Sequence, residues 1–215
     1  MSLAAACGLS VAESGIVVIG GRRRFVSTRY DRMPADGRVK RLHQEDFCQM
    51  LGIDPKRKYE TLGGPGIVAS FRLLRELSVS AADTLEFIDR LIFNFLVGNG
   101  DAHGKNFSVL YKDGVATLAP MYDVMSTAVY PEVGRRMAMK IDDEYAFKWI
   151  TIGKFVRMAE KIGVSEKMMR REIAKISRRI GKEASLVARR CARKFPSSVY
   201  SSIATGIANR LQQLS

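Results

Sequence analysis

At 215 residues, with 47% hydrophobic and 27% charged side chains, the chain has a globular composition and enough length to bury a core. No apolar run reaches the ~20 residues of a bilayer crossing, no basic-then-apolar leader opens the chain, and Cys7, Cys48 and Cys191 lack C-x-x-C spacing, so reduced thiols in a cytoplasmic protein are expected. The net charge of +13 is uneven, with 15 Lys and Arg against 4 Asp and Glu from residue 151 onward, a surplus that suits either solvated helix faces or contact with a phosphate backbone.

In chain order, "SGIVVIGGRRRFVSTRYDR" (14–32) predicts two short strands, 16–19 and 24–28, around a Gly-Gly turn. "LHQEDFCQML" (42–51) fits a short helix, and "LGGPGI" (62–67) is loop chemistry. Ser80 followed by Asp83 reads as a capping start. The helix beyond it carries Leu85, Ile88, Ile92, Phe95 and Leu96 on one face and stops at Gly98. Residues 106–120 predict a hairpin turned at Asp113-Gly114. A helix at 151–162 ends at Gly163, and another starts at Ser165 with Met168, Met169, Ile173, Ile176 and Ile180 along a face. Two more helices follow, separated by Pro196. The methionines read as core filling, and the tail as a helical bundle packed on the middle of the chain.

The densest polar chemistry is "VGNGDAHGKNFSVLY" (97–111). If 107–111 pairs with 115–119, Asn106 and Asp123 share the open end of the hairpin, where two hard oxygen donors suit Mg²⁺. Asp101, five residues before Asn106, is placed to orient a hydroxyl and accept its proton. His103 and Lys105 lie between them, within reach of phosphate oxygens. Singly, each is an ordinary turn or loop residue. Jointly they match the order used by protein kinases: base Asp, five residues, metal-binding Asn, hairpin, metal-binding Asp.

"GNGDAHGKNFSVL" with "LAPMYDV" (118–124) resembles the catalytic segment of the HipA-like serine/threonine kinases, the toxins of bacterial toxin–antitoxin modules. "STRYDR" (27–32) resembles that family's hinge, "LHQEDFCQMLG" (42–52) the helix after it, and "KYETLGGPGI" (58–67) the loop beyond. The resemblance implies an α+β, mainly α, kinase-like C-terminal lobe (33–215) with a β-ribbon and hinge remnant of the smaller lobe (1–32) and one hairpin carrying metal ligands. It implies Asp101 as catalytic base, His103, Gly104, Lys105 and Asn106 lining phosphates and metal, and Asp123 as second Mg²⁺ ligand within Tyr122-Asp123-Val124. Thr28 and Tyr30 would offer backbone hydrogen bonds to the adenine of ATP, with Asp31 near the ribose.

It further implies a protein serine as substrate, on glutamate–tRNA ligase in the best-known members. The partner would be a helix-turn-helix (HipB-like) antitoxin on operator DNA, with Arg170, Arg171, Arg178 and Arg179 available to phosphates. A kinase also needs a glycine-rich loop and a strand lysine before the hinge. Here the first lysine is Lys40, so most of the smaller lobe is expected to be missing and residues 1–215 to be inactive alone. A small-molecule phosphotransferase and a non-catalytic antitoxin- or DNA-binding module are the alternative readings.

Overall fold

The computed structural model describes residues 1–35 and 37–215. A short helix α1 (Ser2–Ala6) leads into a ribbon of β1 (Ser14–Ile19) and β2 (Arg22–Ser27), and a second ribbon pairs β3 (Arg32–Ala35) with β4 (Arg38–Arg41). The first ribbon matches the predicted strands, except that β1 and β2 each begin two residues earlier and β2 stops before Thr28. The second ribbon has no counterpart among the predicted elements.

Residues 42–51 correct the helical expectation. His43–Asp46 form β5, and only Phe47–Met50 form a helix, α2. β5 pairs antiparallel with β6 (Ser108–Lys112), which pairs with β7 (Val115–Leu118), making a three-stranded sheet of order β5-β6-β7. The predicted hairpin is therefore the larger part of a sheet whose edge β5 supplies. Its turn is the predicted one, with Asp113 at φ 50° and Gly114 at φ 79°. Asp46 ends β5 and caps α2 in a reciprocal box with Gln49.

Helix α3 (Ile67–Glu76) succeeds the glycine-rich loop, and α4 (Ala81–Val97) is capped by Ser80 and closed by left-handed Gly98, as its residues predict. α4 is the spine of the molecule. Phe87, Ile88, Leu91, Ile92, Phe95 and Leu96 are all buried in one core that also takes Ala4, Cys7 and Leu9 from the N-terminal residues. Even Arg90 is buried, pairing with Glu86 at 3.1 Å and donating to the Ala119 carbonyl at 2.7 Å. That bond ties α4 to the chain leaving β7, just before Tyr122 and Asp123.

Beyond the sheet, β8 (Arg136–Ile141) and β9 (Glu144–Ala146) form another ribbon without a predicted counterpart. α5 (Ile152–Lys161), α6 (Glu166–Lys194) and α7 (Val199–Gln213) make the expected helical tail, packed on α4. α6 runs unbroken for 29 residues, where two helices are expected. Ala184 and Val187 prolong the buried stripe of Met169, Ile173, Ile176 and Ile180, so Gly181 does not interrupt it. Among the described residues no helix is long and apolar enough to cross a membrane.

Candidate active site

The C-terminus of α4 delivers the chain into a polar loop. Asn99 donates its side-chain amide to Asn94 at 3.0 Å and accepts from the Asp101 backbone N–H at 3.1 Å. Asn106 closes the loop by donating to the Asp101 carbonyl at 2.9 Å. Asp101 and Asn106 are thus fixed against each other within one tight segment whose last turn is a 3-10 helix, Gly104–Asn106.

The Asp101 carboxylate accepts a hydrogen bond from the Tyr59 hydroxyl, and His103 Nε2 lies 3.7 Å from the same oxygen. The Tyr59 ring meets His103 edge-on, 5.0 Å between centroids at 90°. Burial, aided by the bond to Asp101 and by the charges of Asp101 and Asp123, pushes the Tyr59 phenol up to about 12. Burial holds the His103 imidazole below its ordinary value despite the Asp101 charge, which keeps it neutral at neutral pH. Its Nδ1 is buried without a hydrogen-bond partner among the described residues.

Asp123 shares this neighbourhood, since its charge acts on both Tyr59 and His103. Its own carboxylate is exposed and has no ion pair or hydrogen bond among the described residues. Its backbone sits at φ 53°, a left-handed conformation that a residue with a Cβ adopts at a cost of ~1 kcal/mol. Among the described residues no three His, Cys, Asp or Glu side chains gather into a metal cage. With its NH₂ committed to the Asp101 carbonyl, the Asn106 amide leaves its oxygen available, and that oxygen with the Asp123 carboxylate is a donor set that fits Mg²⁺ completed by phosphate and water.

Thr28, Tyr30, Ser108 and Tyr122 line a cleft of about 250 Å³ between the ribbon and the sheet. The Tyr30 and Tyr122 rings lie 5.8 Å apart, and Tyr122 donates to the Lys105 carbonyl at 2.7 Å, so the cleft wall is bonded to the loop that carries Asp101 and Asn106. Two expected contacts are altered. The Thr28 N–H already donates to the Glu13 carbonyl at 2.8 Å, which leaves its carbonyl alone for a ligand. Asp31 is buried, with Arg29 bonded to both its oxygens at 2.7 and 2.6 Å and Arg32 to one of them, and the Arg29 hydrogen bonds pull its carboxyl down to about 2. Asp31 thus braces the turn after β2.

Gly104 has a packing reason for being glycine. A Cβ there would lie 2.2 Å from Pro65 Cγ and 3.0 Å from Cys48 Sγ, and its N–H donates to the Lys58 carbonyl at 3.3 Å. The 57–66 loop and the 99–106 loop are therefore interlocked. Lys105 is half-buried. A second cleft, of about 580 Å³, opens beside Asp101 and is lined by Tyr59, Gly100, Thr127, Tyr130 and Arg136. Tyr59 and Ser108 lie inside segments that carry the family resemblance, but neither is assigned a role from the sequence alone: Tyr59 stands 42 residues from Asp101, with no local spacing to signal the contact.

The family model for the HipA-like C-terminal domain matches residues 1–184. The chain is 45% identical over 178 residues to Y4mE of Sinorhizobium fredii, covering 82% of this chain and 42% of that protein. It is 31% identical over 193 residues to the serine/threonine-protein kinase toxin HipA of Shewanella oneidensis, covering 84% and 45%. A solved structure of a Shewanella oneidensis complex of HipA, HipB and operator DNA superposes with a TM-score of 0.84 at 28% identity, over 100% of this chain and 54% of that one. The proinflammatory kinase CtkA of Helicobacter pylori shares the fold, with a TM-score of 0.69 at 13% identity over 99% of this chain and 77% of that one. The chain spans about half the length of the curated relatives it matches. With the site's geometry and these matches together, the chain belongs to the HipA-like C-terminal domain family.

Proposed function

We propose that this chain is the catalytic lobe of an ATP- and Mg²⁺-dependent protein serine/threonine kinase. The observation that carries the reading is the 2.9 Å bond that holds Asp101 and Asn106 against each other, together with an Asp123 of left-handed backbone that has no ion pair among the described residues and whose charge acts on Tyr59 and His103. Asp101 orients the acceptor hydroxyl and takes its proton as the oxygen bonds to the γ-phosphorus and the bond to the β–γ bridging oxygen breaks, leaving ADP. The Asn106 oxygen and Asp123 carboxylate would hold Mg²⁺, which when bound neutralises charge on the phosphates. Lys105 and His103 line the phosphate side. Adenine fits the cleft of Thr28, Tyr30 and Tyr122, against aromatic walls. Asp31 supports this region through Arg29 and Arg32.

The proposed substrate is a protein serine, glutamate–tRNA ligase being the candidate the family suggests. The proposed partner is a helix-turn-helix antitoxin on operator DNA, in line with the complex in which the Shewanella oneidensis relative was solved. Arg170, Arg171, Arg178 and Arg179 are exposed on α6. Phosphates would compete there with Glu166 for Arg170, Glu172 for Arg171 and the Cys7 carbonyl for Arg179. No lysine precedes Lys40 in these residues, so residues 1–215 by themselves lack the strand lysine that holds phosphates and should bind Mg-ATP weakly without transferring it.

The experiment is calorimetric titration of the full-length protein with Mg-ATP, alongside transfer of labelled γ-phosphate to a serine-containing peptide library. Asp101→Asn should abolish transfer and keep nucleotide binding, and Asp123→Ala should weaken binding. Wild-type turnover by Asp101→Asn would sink the reading.

A further inference from the structure

We infer that Tyr59 is a positioning residue for the Asp101 carboxylate, its hydroxyl holding one oxygen so that the other faces the acceptor hydroxyl. The inference rests on the proposed role of Asp101 and adds to it a second residue, from a loop remote in sequence.

Three observations support it. First, Asp101 has little else to fix its side chain. The His103 Nε2 distance of 3.7 Å is too long for a hydrogen bond, and Asn99 and Asn106 bind only the Asp101 backbone. Among the described residues the Tyr59 hydroxyl makes the one hydrogen bond to the carboxylate.

Second, Tyr59 is itself held from several sides. Its carbonyl accepts from the N–H groups of Leu62 at 2.9 Å and Gly64 at 2.8 Å, and the neighbouring Lys58 carbonyl accepts from Gly104. Glu60 accepts from the Lys140 N–H at 2.7 Å, anchoring the same turn to β8. At Gly64 an added Cβ would lie 2.3 Å from the Arg57 carbonyl, so this loop has no slack. A donor this rigid sets the direction of the carboxylate it binds.

Third, Tyr59 and Asp101 line the same 580 Å³ cleft, so the pair borders the space where an acceptor side chain would lie. The phenol keeps its proton throughout the neutral range, because burial and the adjacent carboxylate both oppose ionisation. It is a donor at every pH where the reaction would run.

A loop-locking contact with no part in catalysis would show the same hydrogen bond, and the experiment separates the two. Tyr59→Phe keeps the ring against His103 and removes only the hydroxyl. In the full-length protein, transfer of labelled γ-phosphate to a serine-containing peptide library is measured against Mg-ATP concentration, together with the melting temperature. The expected result is a fall in kcat of roughly 10- to 100-fold, the scale of a misplaced catalytic group, with KM for Mg-ATP within error of wild type and the protein still fully folded at the assay temperature, the melting temperature falling only by the few degrees that one lost hydrogen bond accounts for. Wild-type kcat in Tyr59→Phe overturns the inference, as does a loss of activity that comes with a raised KM or with partial unfolding at the assay temperature. Asp101→Asn run in parallel distinguishes the two failures. If it is inactive while Tyr59→Phe is fully active, only the positioning role is lost. If it keeps activity, or if wild type transfers nothing while binding Mg-ATP, the base assignment falls and this inference with it.

Discussion

Asn106 donates its amide to the backbone carbonyl of Asp101 across 2.9 Å. The nitrogen thereby shapes the loop that carries Asp101, and the oxygen has no hydrogen bond among the described residues, which suits the cation role proposed for it. Asn106→Asp keeps the oxygens and loses the donor. It should destabilise the protein by about 1–2 kcal/mol, the scale for a part-buried hydrogen bond whose acceptor is left unmet. Chemical denaturation with and without Mg²⁺ checks this, and the deficit should shrink with Mg²⁺ if the new carboxylate binds it.

The interlock at Gly104 gives a sharper stability test. Gly104→Ala drives a methyl group into Pro65 at 2.2 Å, and overpacking of this kind costs roughly 1–3 kcal/mol. Gly134→Ala is the control, because a Cβ there meets nothing within 4 Å. Equal denaturation midpoints for the two variants would show that the two loops are not wedged together.

The site and the fold are unequally legible in the sequence. α4 announces itself through local chemistry, Ser80 at one end and Gly98 at the other, and the β6–β7 turn through Asp113-Gly114. The order of Asp101, Asn106 and Asp123 is readable as a candidate site because it matches the spacing that protein kinases use along one stretch, and the roles proposed for them rest on that match. β5 is not, because "HQED" is polar and becomes a strand only through pairing with β6, more than sixty residues away. β8–β9 escapes for a similar reason. Its turn puts Asp142 at φ 61°, a conformation held by ion pairs from Arg157 and Lys161 on α5. The Tyr59–Asp101 contact likewise exists only once the 57–66 loop is folded onto the 99–106 loop.

Acid should loosen the turn that carries Thr28 and Tyr30. The Asp31 carboxyl is held at about 2 by the Arg29 hydrogen bonds, against 3.8 for the ordinary group. A lowered folded value means the stabilisation is complete above about pH 4 and is lost as pH falls toward 2. The full shift corresponds to roughly 2 kcal/mol, and solvent screening at the exposed Arg29 arm reduces it to about 1–2. Asp31→Asn should lose this amount at pH 6 and little or nothing at pH 2. Parallel stability–pH curves for variant and wild type would remove Asp31 from the account.

Asp123 permits a test in which stability and function move in opposite directions. Its φ of 53° is a conformation that glycine adopts without penalty and alanine does not. Asp123→Gly and Asp123→Ala both remove the carboxylate, so each should weaken Mg-ATP binding to the same degree. They should differ in stability by about 1 kcal/mol in favour of glycine, because only alanine retains the steric conflict of its Cβ in the left-handed region. Denaturation of both variants measures the backbone term, and titration with Mg-ATP measures the carboxylate term. If alanine were as stable as glycine, the left-handed backbone would be costing nothing. If both variants bound Mg-ATP as tightly as wild type, Asp123 would not be a metal ligand. A stability gap between the variants with a shared loss of binding is the expected combination.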